Sequence, residues 1–204
     1  MQRSRPQSSG HAPKQKNQIR IIGGEWKRRQ LKFPNAEGLR PTPDRVRETV
    51  FNWLGQDLWG KTCLDLFAGS GGLGFEAASR RARKVIMIEA NHSVSKTLQE
   101  NRQTLGASNI EVLCMDGMIF LDKNKETFDV VFLDPPFHSD LLGKALAKLA
   151  PHLAETAYVY VETDKWPTLS GWRTVKKGKA GMVHYGLISR DTPNEDVEVH
   201  DGHF

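Results

Sequence analysis

From residue 62 to residue 133 the chain alternates short apolar runs with amphipathic stretches, and this alternation constrains the fold more than any other feature. The apolar runs span residues 62–67, 85–89, 110–114 and 128–133, and stretches with apolar residues at helical spacing lie between them. This order is typical of βαβ units, in which helices connect parallel strands. It predicts an α/β fold with a mostly parallel sheet.

The flanking segments complete the predicted organisation. Two strand-like stretches, 172–177 and 182–188, surround a glycine-containing turn and predict a closing antiparallel hairpin. Residues near the amino terminus are almost free of apolar side chains and cannot offset the entropy of ordering. We therefore expect four parts: a disordered basic tail (1–18), a basic hairpin and helix (19–60), a catalytic domain (61–190) and an acidic tail (191–204).

A helix is predicted from Thr42 onward. Thr42 is suited to the N-cap position and Pro43 to the first helical position. The apolar residues that follow recur at helical spacing, which leaves Arg45 and Arg47 off the apolar face. We expect this helix to pack on the core and to direct its arginines outward.

Positive charge is concentrated at the amino terminus. The chain has a formal net charge of +5, yet residues 1–29 hold eight Lys or Arg and a single Glu, so the remainder is net negative. A basic end of this kind is typical of contact with nucleic acid, because Lys and Arg release counterions condensed on the phosphates. A tail that only keeps the protein soluble is the alternative.

Composition argues against membrane and metal proteins. No apolar run approaches the roughly 20 residues that span a bilayer, and the amino terminus lacks the apolar segment of a secretory signal. Cys63 and Cys114 have no metal-binding spacing, and the seven histidines are scattered. We expect a cytoplasmic protein with two buried free thiols and no metal.

A glycine-rich turn follows the first apolar run. Gly69, Gly71 and Gly74 satisfy the G-x-G-x-x-G pattern, in which backbone without Cβ atoms approaches a nucleotide-like ligand at a helix N-terminus. Glu89 ends the next run, where an acidic residue can bind ribose hydroxyls. The pattern alone fits a dinucleotide-dependent oxidoreductase almost as well as a methyltransferase.

The position of Asp65 favours the methyltransferase. Asp65 lies within the apolar run before the turn, where a carboxylate is costly to bury without a role. It can bind the cationic amino group of a methionine moiety, whereas it would repel a pyrophosphate. Its alternative role is to cap the amides of the glycine turn. Asp116, just past the third run, can accept a hydrogen bond from an adenine amino group or can merely shape its loop.

The tetrapeptide Asp134-Pro135-Pro136-Phe137 closes the fourth run, at the end of a strand where open α/β sheets bind ligands. An exocyclic amine on a base is a poor nucleophile, because its lone pair is delocalised into the ring. The Asp134 carboxylate and the Pro135 carbonyl can accept its two hydrogens and direct the lone pair toward a sulfonium methyl group. Phe137 can stack an extruded base. Whether His138 takes part in proton removal stays open.

Five segments together resemble the bacterial 16S ribosomal RNA guanine-N2 methyltransferase family, RsmD, a family of class I S-adenosylmethionine-dependent methyltransferases. They are RIIGGEWKRRQL (20–31), LRPTPDRVRETVFNWL (39–54), LDLFAGSGGLGFEAASR (64–80), IEAN (88–91) and FLDPPF (132–137). Their combination is far more specific than any one of them. The resemblance implies a Rossmann-like sheet of about seven strands, with helices on both faces and an antiparallel hairpin at its end.

The resemblance also implies an activity, a partner and site residues. The reaction would be methyl transfer from S-adenosylmethionine to N2 of guanine 966 of 16S RNA, in the small subunit or its assembly intermediates. A monomer is the default expectation for the oligomeric state, which the sequence does not reveal. Residues implied to bind the cofactor are Asp65, Phe67, Gly69, Gly71, Glu89, Ala90, Asp116 and Gly117. Residues implied to hold the guanine are Asp134, Pro135, Pro136 and Phe137. Residues expected to contact RNA are Arg20, Lys27, Arg28, Arg29, Arg40, Thr42 and Arg45.

Three other functions stay open at the level of sequence. An adenine-N6 methyltransferase of DNA or RNA could use the same tetrapeptide, but such enzymes usually need a target-recognition domain, which we do not expect in 204 residues. A NAD-dependent oxidoreductase would leave Asp65 and the tetrapeptide unexplained. A ribosome-assembly factor that only binds RNA would leave Asp134 and Gly69 without a role.

Overall fold

The computed structural model describes residues 17–36, 38–137 and 139–191. The strands in this part of the chain are β1 (Gln18–Arg20), β2 (Gln30–Lys32), β3 (Thr62–Asp65), β4 (Lys84–Glu89), β5 (Ile110–Cys114), β6 (Phe128–Leu133), β7 (Leu153–Thr163), β8 (Trp172–Ala180) and β9 (Val183–Arg190). The helices are α1 (Asp44–Trp53), α2 (Gly72–Ser79), α3 (His92–Leu105), α4 (Gly117–Lys123) and α5 (Leu141–Leu149). Most of both predicted tails lies outside the described residues.

Seven strands form one sheet in the order β5-β4-β3-β6-β7-β9-β8. The five strands from β5 to β7 are parallel, whereas β9 pairs antiparallel with both β7 and β8. The predicted α/β fold with a closing hairpin is therefore confirmed. The chain order reverses between β3 and β6, and open α/β sheets bind ligands outside the carboxyl ends of the strands at such a switch point.

Helices cover both faces of the sheet, because residues along the central strands alternate between two apolar clusters. Phe132 and Tyr160 belong to the cluster that packs against α1, α2 and α3. Their neighbours Leu133 and Val161 belong to the cluster that packs against α4 and α5. We call these two sides the α1 face and the α5 face. On the α1 face the ring of Phe51 lies 5.8 Å from that of Phe132, which fixes α1 over β6.

The amino-terminal strands β1 and β2 pair antiparallel, and the loop between them packs on α2 through a buried carboxylate. Glu76 has no exposed surface and accepts hydrogen bonds from the amides of Ile22 at 2.8 Å and Gly23 at 2.7 Å. It also accepts from Arg80 at 2.9 Å and from Arg47 at 3.4 Å. Buried charges need such partners, and here they join the amino-terminal segment to the core.

Three details of the prediction are wrong. Arg47 points inward and is only 1% exposed, because its guanidinium pairs with Glu76 and Asp44. Helix α1 begins at Asp44 with Pro43 as its N-cap, and no side chain caps it, so Thr42 lies before the cap. Cys114 is exposed, although Cys63 is a buried free thiol as expected.

Two properties of the described residues bear on the class of protein. No helix among them has the length and apolar character needed to cross a membrane. In the same residues, no group of three or more His, Cys, Asp or Glu side chains is arranged to hold a metal ion.

Candidate active site

The carboxyl ends of β3, β4 and β6 bring the two predicted motifs to one edge of the sheet. Asp65, the last residue of β3, pairs in register with Met87 of β4 on one side and with Phe132 of β6 on the other. The glycine-rich turn and the Asp134 tetrapeptide leave adjacent strands, so both lie at the switch point. Two distant parts of the sequence therefore share one site.

The glycine turn adopts a backbone that side chains would obstruct. Gly69 and Gly71 have positive φ angles of 49° and 80°. A Cβ atom on Gly71 would lie 2.7 Å from side-chain carbons of Leu98 and Phe75, a distance too short for a contact. The turn leads directly into α2, and the amides at a helix N-terminus are free to bind ligand atoms.

Asp65, at the end of β3 just before this turn, is buried and forms a hydrogen bond with Gly74 at its far end. Its side chain is 2% exposed, and Oδ2 accepts a hydrogen bond from the Gly74 amide at 2.9 Å. The pKa of Asp65 is raised to about 7, mainly by burial; the hydrogen bond from the Gly74 amide opposes this increase, and the charge of Glu89 contributes to it. The capping role considered for Asp65 is therefore present. Binding of a cationic amine stays a prediction, and a nearby cation would stabilise the ionised carboxylate.

Glu89 and Asp116 organise the adjoining loops with only part of their acceptor capacity. Glu89 Oε2 accepts from the Gly69 amide at 3.0 Å, and Oε1 accepts from the Asn91 amide at 2.7 Å. Asp116 Oδ1 caps α4 by accepting from the amides of Met118 and Ile119. A carboxylate has about four lone-pair sites, so both side chains can still accept hydrogen bonds from a ligand.

These residues fit a cationic adenosyl amino acid better than a dinucleotide. The turn from Phe67 to Gly74 contains no Lys or Arg, and its surroundings carry the carboxylates of Asp65 and Glu89. A pyrophosphate would be repelled there, whereas an ammonium group and ribose hydroxyls would be bound. The remaining residues predicted to bind the cofactor flank this place: Phe67 is half-buried, Ala90 is exposed after β4, and Gly117 is buried at the start of α4.

Asp134 emerges from β6 beneath the segment that precedes α1. Its Oδ2 atom accepts a hydrogen bond from the Thr42 hydroxyl at 3.1 Å. This contact explains why Thr42 does not cap α1. The carboxyl group is surrounded closely enough that burial raises its pKa well above the usual range, and the charges of Glu162 and Asp65 raise it further.

The second half of the tetrapeptide lies at the surface. Pro135 is buried, Pro136 is exposed, and the Phe137 ring is 36% exposed, as a platform for stacking must be. His138 lies outside the described residues, so its part in proton removal stays open.

Sequence reasoning missed two residues on the α1 face. Glu162 of β7 is 6% exposed, and its Oε2 atom accepts a hydrogen bond from the Tyr160 hydroxyl at 2.7 Å. Burial raises the pKa of Glu162, while Tyr160 and the charge of Arg40 oppose the increase. The signal was a carboxylate directly after the apolar run 158–161, in the position that Asp134 occupies after its own run.

The residues predicted to contact RNA divide into separate groups. Arg20, Lys27 and Arg28 line a surface cavity of about 520 Å³ together with Arg80. Arg29 lies apart and donates a hydrogen bond to the carbonyl of Thr104 on α3. A third group consists of Arg40, Thr42 and Arg45, of which Thr42 contacts Asp134 and the two arginines are exposed.

Comparison with known proteins identifies the family. Residues 19–189 match the family described as conserved hypothetical protein 95. The chain belongs to this family. Within it, the chain is 46% identical over 184 residues to ribosomal RNA small subunit methyltransferase D of Haemophilus influenzae, which covers 86% of this chain and 95% of the relative. It is 44% identical to the protein of the same name from Escherichia coli K12, over 87% of this chain and 93% of the relative.

A solved structure of similar sequence agrees with the fold. The yhhF structure from Escherichia coli superimposes with a TM-score of 0.78 at 42% identity, covering 85% of this chain and 98% of that chain. The resemblance to the RsmD family and the class I methyltransferase fold are thus confirmed. This family membership supports methyl transfer over hydride transfer.

Proposed function

We propose that this protein transfers a methyl group from S-adenosylmethionine to the N2 amine of a guanine in 16S ribosomal RNA, the base numbered 966. The observation that carries the proposal is the Asp134 carboxylate, which stands at the end of β6 beside the glycine turn. The names of the Haemophilus and Escherichia relatives support a small-subunit RNA as the substrate. The protein would act in the cytoplasm, as a monomer, on the subunit or its assembly intermediates.

The cofactor would be held along the carboxyl ends of β3, β4 and β5. Asp65 would bind its amino group, Glu89 its ribose hydroxyls and Asp116 its adenine amine, while Gly69 and Gly71 allow the backbone to approach. When bound, S-adenosylmethionine supplies an electrophilic methyl group on a positively charged sulfur. The fit of this set to a cation and to hydroxyl donors supports the assignment.

The tetrapeptide would orient the nucleophile. Asp134 and the Pro135 carbonyl accept the two hydrogens of the amine, which directs its lone pair toward the methyl carbon. The amine would form its N–C bond as the bond from the methyl group to sulfur breaks, and Asp134 or water would accept the proton that the amine loses. Phe137 stacks on the extruded base, and Pro136 restricts the loop that carries both groups.

The amino-terminal part would contact the RNA backbone. Arg20, Lys27 and Arg28 supply positive charge at one cavity, and the exposed Arg40 and Arg45 supply it on either side in sequence of Thr42, which contacts Asp134. Arg29 would extend this surface toward α3. Residues 19–60 would thus act as the RNA-facing part, and residues 61–190 as the catalytic domain.

The decisive test is transfer of labelled methyl from S-adenosylmethionine to small subunits from cells that lack this gene. We expect one N2-methylguanosine in the RNA by nucleoside analysis. N6-methyladenine would show that the chemistry was assigned correctly and the base wrongly. Absence of any transfer to subunits, to their precursors or to naked RNA would overturn the proposal.

A further inference from the structure

A second carboxylate, that of Glu162, lies beside Asp134 and takes no part in the function proposed above. Leu133 of β6 pairs in register with Val161 of the parallel strand β7. The next residues, Asp134 and Glu162, therefore lie side by side at the carboxyl ends of the two strands. Side chains alternate along a strand, which places both carboxylates on the α1 face. The charge of Glu162 raises the pKa of Asp134, as expected for two carboxyl groups that are close in space.

Both carboxylates have unused acceptor capacity. Asp134 Oδ2 accepts from the Thr42 hydroxyl, and Glu162 Oε2 accepts from the Tyr160 hydroxyl. Within residues 17–36, 38–137 and 139–191, no group donates a hydrogen bond to Asp134 Oδ1 or to Glu162 Oε1. Neither oxygen is sealed from solvent, so a ligand with two adjacent donors has access to both acceptors.

Guanine presents such a pair of donors. Its Watson–Crick edge carries N1–H directly beside the N2 amine, whereas adenine carries a lone pair at N1. We infer that Glu162 accepts a hydrogen bond from N1–H of the target guanine while Asp134 accepts one from its N2 amine, so that Glu162 selects guanine over adenine. This inference rests on the proposed function.

Tyr160 is the positioning residue of this arrangement. It has no exposed surface, and its hydroxyl holds Glu162 Oε2 at 2.7 Å, which leaves Oε1 for the base. The Arg40 charge opposes the effect of burial on the pKa of Glu162, and so favours the ionised acceptor. A carboxylate held in this way would repel the N1 lone pair of adenine, so specificity includes rejection of the wrong base.

The test compares two bases at the target position of RNA assembled into small subunits. One subunit carries guanine, and the other carries 2,6-diaminopurine, which keeps the 2-amino group but has a lone pair at N1. We expect Glu162→Gln to lower kcat/KM on guanine about 10- to 100-fold, the range for loss of a hydrogen bond to a charged group. The same change should lower kcat/KM on diaminopurine by less than about threefold or raise it, because the glutamine amide can donate to N1.

Two further variants make the result specific. Glu155→Gln alters an exposed carboxylate on the same strand and should leave both rates unchanged. Tyr160→Phe should shift the guanine-to-diaminopurine ratio in the same direction by a smaller factor, and it serves as the test if Glu162→Gln does not fold.

The possible failures can be distinguished. Equal losses on both bases would assign Glu162 a purely structural role and overturn this inference, while the proposed function would stand. Wild-type protein that forms no N2-methylguanosine on guanine would overturn the proposed function and this inference with it.

Discussion

At the scale of single residues, the site depends on carboxylates held where their charge is unfavourable. Asp65, Asp134 and Glu162 all have pKa values raised by burial, and the charges of Glu162 and Asp65 raise the pKa of Asp134 further. A stable fold without ligands would replace such groups by neutral ones. Their presence is explained if a bound molecule supplies a cation to one carboxylate and hydrogen-bond donors to the others. Each carboxylate therefore makes a separate prediction.

Asp134→Ala should lower kcat at least about 100-fold while the affinity for S-adenosylmethionine stays within about twofold. The variant removes the acceptor that orients the amine, and misorientation of reacting groups costs this much or more. Single-turnover methylation gives the rate, and calorimetry gives the cofactor affinity. Turnover near the wild-type rate would show that Asp134 does not hold the nucleophile.

Asp65→Asn should remove a pH dependence of stability. The pKa of Asp65 rises from 3.8 to about 7 on folding, so between these values the unfolded chain ionises while the folded protein keeps the proton. Stability therefore falls as pH rises through this window, and the asparagine variant lacks that fall. Urea unfolding from pH 4 to pH 8 should show that the free energy of unfolding of the variant increases relative to that of the wild type as the pH rises. A constant difference would contradict the prediction.

The same Asp65→Asn variant should bind S-adenosylmethionine about 10-fold or more weakly at pH 7.5. The asparagine can still accept a hydrogen bond from Gly74, but it offers no charge to the cofactor amine. Unchanged affinity would leave Asp65 with the capping role alone.

At the scale of elements, α2 connects the two functional parts of the molecule. The glycine turn leads into the first residue of α2. The side chains of Glu76 and Ser79 on this helix bind the β1–β2 loop. Ser79 Oγ accepts from the Trp26 amide at 2.9 Å and donates to the Gly23 carbonyl at 2.6 Å. The position of the basic loop is thus fixed relative to the glycine turn, where the cofactor is proposed to bind.

Glu76→Gln should lower the free energy of unfolding by about 3–5 kcal/mol, the range for removal of one partner from a buried ion pair. Arg47 and Arg80 would lose the charge that balances them in the core. Chemical denaturation measures the change, and Glu100→Gln on exposed α3 surface is the control. A loss below about 1 kcal/mol would mean that water compensates the two arginines.

The elements that the sequence predicted well are those defined by local pattern. Strands β5 and β6 occupy the predicted residues because each apolar run ends at a polar or turn-forming residue. The errors involve partners distant in sequence. Arg47 turns inward because it pairs with Glu76, which is 29 residues away in sequence. Thr42 does not cap α1 because its hydroxyl bonds to Asp134, which is 92 residues away. Glu162 could not be assigned because its importance comes from the register of β6 with β7.

At the scale of the whole molecule, the amino-terminal segment connects to the switch point of the sheet. The segment packs on α2 through its loop, continues into α1, and contacts Asp134 through Thr42. Basic residues therefore lie on the same segment that contacts the tetrapeptide proposed to bind the base. An RNA bound along this segment would be anchored by its phosphates and read only at the extruded base.

Replacing Lys27 and Arg28 together by Gln should weaken RNA binding and flatten its dependence on salt. Each phosphate contact contributes about 0.7–0.9 to the slope of log K against log salt concentration, so the slope should fall by about 1.4–1.8 if both residues bind phosphate. The control replaces two exposed lysines: Lys123, the last residue of α4, and Lys125, between α4 and β6. Titration of small subunits at several salt concentrations gives both slopes. An equal decrease in the control would indicate attraction by net charge alone, whereas a decrease confined to Lys27 and Arg28 would assign the loop between β1 and β2 to the RNA.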